Sequence, residues 1–187
     1  MTHRKGVCMN NVDTEPSVVL WFTGLSGAGK TTIASGVKQR LLQLGHRVEH
    51  LDGDVIRKAI STDIGFSRSD RDIQVKRIGW IANLLARHNV IVLVSAISPY
   101  SKTRSEVLAS LDLGFEIHVD VSLPVAEKRD PKGLYAKARK GEIVGFTGID
   151  DPYEIPHDPA LQVNTDIDSV ENSVSIVMNF LSEKGLI

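Results

Sequence analysis

Residues 24–31 read Gly24-Leu25-Ser26-Gly27-Ala28-Gly29-Lys30-Thr31, and this stretch decides the fold of the chain. The apolar run before it, residues 18–22, predicts a buried strand, and apolar side chains at helical spacing follow it. A glycine-rich turn between a strand and a helix points backbone N–H groups at phosphate oxygens, and the helix N-terminus adds partial positive charge. The stretch therefore predicts a P-loop that binds a nucleoside triphosphate.

Each part of this motif has a predicted role. We expect the Lys30 ammonium to reach the β- and γ-phosphates and the Thr31 hydroxyl to ligate Mg²⁺. The other residues predicted to bind ATP are Gly24, Leu25, Ser26, Gly27, Ala28, Gly29 and Thr32. The motif alone leaves open a kinase, a GTPase, an ATPase or a motor. The chain has no Asn-Lys-x-Asp segment, which weakens the GTPase reading, and its 187 residues leave little room for motor machinery.

Strand and helix patterns alternate along the chain, which predicts an α/β fold. We expect a three-layer αβα P-loop NTPase architecture with a mostly parallel sheet and a lid loop. The predicted organisation is a leader at 1–16 and one kinase domain at 17–187. Residues 131–160 are rich in glycine and proline, which predicts a lid at about 131–150. Ser69 is predicted to cap a helix that runs to about His88.

Two carboxylates, Asp52 and Asp54, end the second predicted strand beside the P-loop. They suit Mg²⁺ or its waters, or the proton of an attacking hydroxyl. A structural alternative is that Asp54 caps the helix that follows. The third predicted strand ends in Ser95, so the usual Walker-B carboxylate is absent there, and this favours the two aspartates as its replacement.

Composition excludes several function classes. The 22 basic and 23 acidic residues give a net charge of −1, so no global field draws the chain to nucleic acid or to a membrane. Cys8 is the only cysteine, which rules out an internal disulfide or a site of several thiolates and fits the cytoplasm. The six histidines show no metal-ligand spacing.

Further segments, taken together, resemble the adenylylsulfate kinase (APS kinase) family. They keep the family's order over roughly residues 18–155, and the segments at 130–135 and 145–150 are the most specific. Besides the P-loop they are Leu51-Asp52-Gly53-Asp54, Gly65-Phe66-Ser67, Asp70-Arg71, Ile97-Ser98-Pro99-Tyr100, Asp130-Pro131-Lys132-Gly133-Leu134-Tyr135 and Gly145-Phe146-Thr147-Gly148-Ile149-Asp150.

The resemblance implies a reaction and a set of partners. MgATP phosphorylates the 3′-hydroxyl of adenosine 5′-phosphosulfate, which yields 3′-phosphoadenosine 5′-phosphosulfate and ADP in sulfate assimilation. The expected partners are these small molecules and a second copy of the chain in a homodimer, with no nucleic acid and no membrane.

The resemblance also implies residue roles. Lys30 and Asp54 are the expected catalytic residues, together with Ser98, whose family equivalent is described as a phosphoserine. Residues expected to contact the acceptor are Asp52, Arg57, Phe66, Arg71, Gln74, Ile97, Ser98, Lys132 and Phe146, and the expected metal ligands are Thr31, Asp52 and Asp54. Within this set the arginines hold the phosphosulfate, the phenylalanines sandwich the adenine, and Lys132 is the lid lysine.

Two observations qualify the resemblance. Gln74 stands where the family usually has asparagine, which leaves open a related kinase that acts on another nucleotide-like anion. A regulatory module without catalysis is a third hypothesis, but intact Lys30, Asp54 and Arg71 argue against it.

The predicted lid is basic. Residues 128–142 carry six basic and two acidic side chains, as expected of a lid that closes over phosphates.

Overall fold

A five-stranded, wholly parallel sheet forms the centre of the structure, a computed structural model that describes residues 17–187. The predicted leader at 1–16 lies outside the described residues. The strands are β1 (Val19–Thr23), β2 (Val48–Asp52), β3 (Ile91–Ser95), β4 (Gly114–Asp120) and β5 (Leu161–Asn164), in the spatial order β2-β3-β1-β4-β5. Each strand pairs in parallel with its neighbour, as the alternating strand and helix patterns predict.

Helices connect the strands and cover the sheet. They are α1 (Lys30–Gln43), α2 (Gly53–Ile60), α3 (Arg68–Ala86), α4 (Ser101–Ala109), α5 (Leu123–Arg129), α6 (Leu134–Arg139) and α7 (Val170–Glu183). Among the described residues, none of these helices is long and apolar enough to span a bilayer. Element bounds differ from the predicted ones by a few residues, which is the usual precision of a pattern read from sequence.

The core lies in two layers, one on each face of the sheet. Leu20 and Phe22 of β1 pack with residues of α1 and α7, whereas Val19 and Trp21 pack with residues of α3 and α4. Successive strand residues point to opposite faces, so a strand buried on both faces must be apolar throughout. This explains the uninterrupted apolar runs, and it confirms the predicted three-layer α/β fold.

Register places the functional strand ends side by side. Ser95, the last residue of β3, is level with Phe22 of β1 and with Asp52 of β2. The P-loop, the end of β2 and the turn after β3 therefore leave the sheet at one edge. Ligands of open parallel sheets bind at this carboxyl edge.

The predicted N-cap of α3 is wrong, and the structural alternative for Asp54 does not hold either. Ser67, not Ser69, is the N-cap of α3; its hydroxyl accepts a hydrogen bond from the Asp70 amide, and the Asp70 side chain bonds back to the Ser67 amide. This reciprocal capping box needs an acidic side chain three residues after the cap, a spacing that Ser67 and Asp70 satisfy. Asp52, not Asp54, caps α2, because its carboxylate accepts from the Asp54 and Val55 amides.

The lid region differs from the predicted loop, since residues 131–150 contain α6 and a tight hydrogen-bonded turn. The Asp150 carboxylate accepts from the amides of Gly145 and Phe146 at 2.6 and 2.5 Å, and the Ile149 amide donates to the Phe146 carbonyl. The hydrogen bond from the Gly145 amide is the main reason why the pKa of Asp150 lies below its ordinary value; desolvation opposes it, and the Phe146 amide adds to the lowering. The glycines and prolines here mark the ends of small ordered elements.

Replacement of Ser67 by alanine tests the capping box. We expect Ser67→Ala to lower the free energy of unfolding by about 1 kcal/mol, because the Asp70 amide loses its acceptor. Ser69→Ala is the matched control and should change it by less than about 0.5 kcal/mol. Urea unfolding followed by circular dichroism measures both; an equal loss in the two variants would contradict the assignment of the cap.

Candidate active site

The P-loop curls between β1 and α1 on three glycines with positive φ angles. Gly24, Gly27 and Gly29 have φ angles of 155°, 75° and 96°. A Cβ atom added at Gly24 would lie 2.3 Å from the Val119 carbonyl oxygen, so the loop is also packed tightly on the end of β4. Gly29 directly precedes α1 and leaves the first amides of that helix free for an anion.

Lys30 is a buried cation without a direct carboxylate partner among the described residues. Its ammonium donates to the carbonyl oxygens of Gly24 and Leu25 at 2.9 and 2.7 Å. Burial lowers the pKa of Lys30 to about 8, and the nearby charge of Asp54 only partly offsets that effect. A cation in this setting is stabilised by an incoming anion, which is the chemistry of a phosphate site.

Asp52 connects the P-loop to the end of β2. Its Oδ2 atom accepts a hydrogen bond from the Thr31 hydroxyl at 2.7 Å, while Oδ1 caps α2. Partial burial alone would raise the pKa of Asp52, but hydrogen bonds from Thr31 and from the Asp54 and Val55 amides outweigh it and keep the pKa low. Asp52 thus remains ionised and orients the Thr31 hydroxyl, with the Thr31 oxygen lone pairs left for a cation.

Asp54 is the second residue of α2, and its side chain is 63% exposed. In this conformation its carboxylate forms an ion pair with Lys132 of the lid. The structure therefore brings together a P-loop lysine, two carboxylates and a lid cation, all four of which the sequence predicted as site residues.

Two arginines and an exposed phenylalanine form the other half of the cleft. The guanidinium carbon atoms of Arg57 and Arg71 lie 4.6 and 5.8 Å from the Phe66 ring centroid. Desolvation, and secondarily the like charge of Arg71, lowers the pKa of Arg57. Neighbouring guanidiniums repel each other, so an anion that contacts both relieves the repulsion.

Arg71 also joins the lid to this pocket. It donates to the Phe66 carbonyl at 2.9 Å and to the Gly145 carbonyl at 2.6 Å, so one side chain spans both phenylalanine-bearing segments. Phe146 and Phe66 line the same cleft, but Phe146 is 8% exposed and Phe66 64% exposed. Phe146 packs edge-on against the Tyr135 ring with centroids 4.9 Å apart, and the Tyr135 hydroxyl donates to the Ser26 carbonyl of the P-loop.

The turn after β3 closes the cleft from behind. Ile97 and Ser98 both line it, yet Ser98 is only 3% exposed and its hydroxyl accepts a hydrogen bond from the Trp21 indole. A hydroxyl this buried and already bonded is a poor nucleophile or phosphorylation target. Gln74 donates to the Gly53 carbonyl at 3.2 Å, and its buried oxygen has no hydrogen-bond partner among the described residues.

These groups surround one cleft with a volume of about 1100 Å³, which lies at the upper end of the usual range for ligand pockets. The predicted acceptor set lines it, including Arg57, Phe66, Arg71, Gln74 and Phe146. Of the predicted ATP-binding set, residues 26–32 line it, whereas Gly24 and Leu25 do not.

Comparison with known proteins decides the family. The family model described as "Adenylylsulphate kinase" matches residues 16–164. The chain is 51% identical to an adenylyl-sulfate kinase of Microcystis aeruginosa over 170 residues, which cover 91% of this chain and 94% of the relative. It belongs to the adenylylsulfate kinase family.

Solved structures agree with this assignment. An APS kinase of Mycobacterium tuberculosis, solved in complex with AMPPNP and APS, superposes with a TM-score of 0.86 at 43% identity and covers 89% of this chain and 98% of that one. A hexameric APS kinase of Thiobacillus denitrificans gives a TM-score of 0.70 at 30% identity, over 93% of this chain and 30% of that longer chain. The predicted family resemblance is confirmed.

Sequence reasoning missed several groups at the other end of this family member's cleft. Arg129 donates to the Thr165 carbonyl at 2.5 Å and to the Thr165 hydroxyl at 3.0 Å, and both residues line the cleft beyond the P-loop. His50 pairs with Ser95 at 2.9 Å between their side chains. The sequence could have indicated Thr165 by its position. It directly follows β5, so it lies at the carboxyl edge like the other site residues.

The donor set of this adenylylsulfate kinase family member fits Mg²⁺. Thr31, Asp52 and Asp54 offer oxygen ligands only, which a hard cation prefers. Within residues 17–187 no three His, Cys, Asp or Glu side chains cluster as a metal cage. Mg²⁺ is usually held by one or two carboxylates together with substrate phosphates and water, so a cage is unnecessary.

Proposed function

We propose that this chain transfers the γ-phosphoryl group of ATP to the 3′-hydroxyl of adenosine 5′-phosphosulfate, giving 3′-phosphoadenosine 5′-phosphosulfate and ADP in cytoplasmic sulfate assimilation. Residues 17–187 act as one kinase domain, with about 131–150 as its lid. The observation that carries the proposal is a single cleft in which a P-loop lysine faces an arginine pair around an aromatic ring.

The P-loop end of the cleft binds the triphosphate. Backbone amides of residues 24–32 and the start of α1 surround the phosphates, and Lys30 moves from its carbonyl partners to the phosphate oxygens. Because the ammonium is already desolvated, its interaction with developing negative charge is stronger than it would be in water. The base end of ATP lies toward Arg129 and Thr165, which extend the cleft beyond the loop.

Mg²⁺ binds with ATP, and Thr31, Asp52 and Asp54 would hold it or its waters. When bound it neutralises phosphate charge and shields the γ-phosphoryl group from repulsion by the incoming hydroxyl. Asp52 contributes mainly through Thr31, whose hydroxyl it orients.

The second pocket binds the acceptor. Arg57 and Arg71 neutralise the phosphosulfate, and the adenine stacks between Phe66 and Phe146, a contact worth about 1–3 kcal/mol per base in comparable sites. Ile97 and the Ser98 backbone form the back wall, and Lys132 exchanges its partner Asp54 for phosphate oxygens when both substrates are present. The lid then excludes the water that would otherwise hydrolyse ATP.

Phosphoryl transfer in this site needs one proton acceptor. The bond from the 3′-oxygen to the γ-phosphorus forms as the bond to the ADP oxygen breaks, and the hydroxyl proton moves to the Asp54 carboxylate. Direct transfer needs no phosphoserine, and the buried, Trp21-bonded hydroxyl of Ser98 supports a structural role for that residue.

A coupled assay of ADP release tests this function. Wild type should release ADP only when ATP and adenosine 5′-phosphosulfate are both present. Asp54→Ala should retain ATP binding by calorimetry but lose about 10²- to 10⁴-fold in turnover, because the proton acceptor is gone. Lys30→Ala should lose about 10²-fold or more through the missing charge on the phosphates.

The outcomes separate the parts of the proposal. An absence of acceptor-dependent ADP in wild type would overturn the activity itself. Full turnover in Asp54→Ala would leave the activity standing and refute only the role of that carboxylate.

A second candidate, a kinase for another nucleotide-like anion, is favoured by one observation. The Gln74 amide nitrogen bonds to the Gly53 carbonyl, so its buried oxygen is the end left to face a ligand. An amide oxygen only accepts hydrogen bonds, and therefore it recognises a hydroxyl or amine of the acceptor and not the phosphosulfate. Gln74 thus distinguishes acceptors by the hydroxyl and amine groups that they carry, and not by their charged groups.

Gln74→Leu tests this selection, because leucine has a similar size but no acceptor oxygen. We expect the acceptor KM to rise by about 5- to 10-fold with the ATP KM within twofold, as one hydrogen bond is lost. Gln74→Asn is the companion variant, and wild type is also assayed on a panel of nucleotides. A better substrate than adenosine 5′-phosphosulfate in that panel would favour the second candidate, whereas an unchanged acceptor KM in Gln74→Leu would refute the role of Gln74.

We also propose that the chain forms a homodimer through α3. Ile73, Trp80 and Leu84 are 40%, 66% and 36% exposed and follow one face of this helix at intervals of seven and four residues. A large exposed apolar stripe of this kind is typical of an interface, and the Thiobacillus relative is itself an oligomer.

Sedimentation velocity tests the homodimer. Trp80→Glu should shift a wild-type dimer to monomer, since it places a charge in the apolar stripe. Lys102→Glu, at a side chain that is 84% exposed on α4, is the control and should leave the dimer intact. A monomeric wild type would contradict this proposal without affecting the proposed reaction.

A further inference from the structure

The turn at residues 97–99 holds a strained residue beside the acceptor pocket. Ser98 has a φ angle of +47°, in the left-handed region that residues other than glycine rarely adopt. Such a conformation persists only where the surrounding structure fixes it. The contacts that fix Ser98 therefore also fix the back wall of the acceptor pocket.

Three side chains hold this turn from two elements. Trp21 of β1 donates from its indole to the Ser98 hydroxyl at 3.1 Å, and Thr23 of β1 donates to the Ile97 carbonyl at 2.7 Å. Arg104 of α4 donates to the Ser98 carbonyl at 2.6 Å. Arg104 does not line the cleft and is only 2% exposed, so it acts on the pocket through the turn.

Arg104 also binds the segment that follows the lid. Its second terminal nitrogen donates to the Glu154 carbonyl at 2.6 Å, and the Glu154 amide donates to the Pro99 carbonyl at 2.8 Å. The Tyr153 and Thr23 hydroxyls lie 3.0 Å apart. Residues 153–154 and the turn at 97–99 are consequently joined by several hydrogen bonds around one guanidinium.

The charge and shape of Arg104 suit this position. Its Nε atom donates to Glu116 of β4 at 2.6 Å, which neutralises the buried cation. The planar guanidinium thus reaches three acceptors on three different segments. A lysine ammonium could keep the ion pair with Glu116, but it lacks the fork that reaches both carbonyls.

We propose that Arg104 is a positioning residue that holds the acceptor-pocket turn (97–99) and the segment that follows the lid (153–154) as one unit. The inference rests on the proposed function. When this unit is loosened, the lid no longer returns to a fixed place over the acceptor, and Ile97 and Ser98 no longer form a fixed wall. Acceptor affinity then falls, and a smaller fraction of the ATP consumed leads to transfer. The affinity of the P-loop for nucleotide is unchanged.

The test compares Arg104→Lys and Tyr153→Phe with wild type. For Arg104→Lys we expect the acceptor KM to rise about tenfold or more, from two lost hydrogen bonds to carbonyls. Acceptor-independent ADP release should rise as well, while the ADP dissociation constant from calorimetry stays within twofold. Tyr153→Phe conserves volume and fold, and it should raise the acceptor KM by about two- to fivefold through its single lost contact with Thr23.

Arg77→Lys is the matched control. Arg77 also pairs with a carboxylate, Asp63, and donates to a backbone carbonyl, but it touches neither residues 97–99 nor residues 153–154. Its acceptor KM should remain that of wild type. Amide hydrogen exchange of residues 151–154 provides a readout independent of substrate, and exchange there should accelerate in Arg104→Lys but not in Arg77→Lys.

Each outcome bears on a separate statement. Wild type without acceptor-dependent ADP release would refute the proposed function, and the exchange measurement would still test the joined unit. An active wild type with unchanged acceptor KM and unchanged exchange in both Arg104→Lys and Tyr153→Phe would overturn the inference alone. An equal loss of acceptor and ADP affinity would also overturn it, since that pattern indicates a general loss of structure.

Discussion

The parallel alignment of β1, β3 and β2 is the constraint on which the site depends. Because Phe22, Ser95 and Asp52 are level with one another, the P-loop, the turn at 97–99 and the start of α2 emerge at one edge. The hydrogen bond from Thr31 to Asp52 then joins the P-loop to the end of β2 across that edge. With Ser95 at the end of β3, the carboxylate that supports the P-loop threonine comes from the neighbouring strand instead.

Positive charge without full compensation gives this cleft its preference for anions. Lys30 is buried against carbonyl oxygens, and Arg57 and Arg71 share one aromatic ring. In the proposed function, phosphate at Lys30 and phosphosulfate at the arginine pair would make each arrangement more favourable. The net charge of the chain is only −1, so this selectivity is local and owes nothing to a global field.

The lid is tied to the rest of the site at several points. Lys132 reaches Asp54, Tyr135 reaches the P-loop at Ser26, and Arg71 holds the Gly145 carbonyl. These contacts join the two proposed substrate pockets through the same segment, so a lid in place over one ligand would also shape the site for the other. This arrangement suits an enzyme that must bring two anions together while excluding water.

The sequence alone determined the P-loop, the α/β class, the family and most of the residues that gather at the carboxyl edge, although not Arg129, Thr165 or His50. These are local or periodic signals: a fixed spacing of glycine, lysine and threonine, and apolar runs of the length of buried strands. Pattern reasoning failed where two nearby residues could perform one task. Ser67 and Ser69 could both cap α3, and Asp52 and Asp54 could both cap α2. In the folded chain, Ser67 and Asp52 are the residues that accept hydrogen bonds from the first amides of these helices.

Only the tertiary structure decided which distant groups meet. Arg104 and Glu154 are separated by 50 residues, and Trp21 and Ser98 by 77, yet each pair is joined by a hydrogen bond. No spacing along the chain encodes such pairs, because they arise from the order β2-β3-β1-β4-β5 in the folded sheet. The strained φ of Ser98 and the unpaired oxygen of Gln74 are likewise products of packing, since each depends on neighbours that the chain supplies only after it has folded.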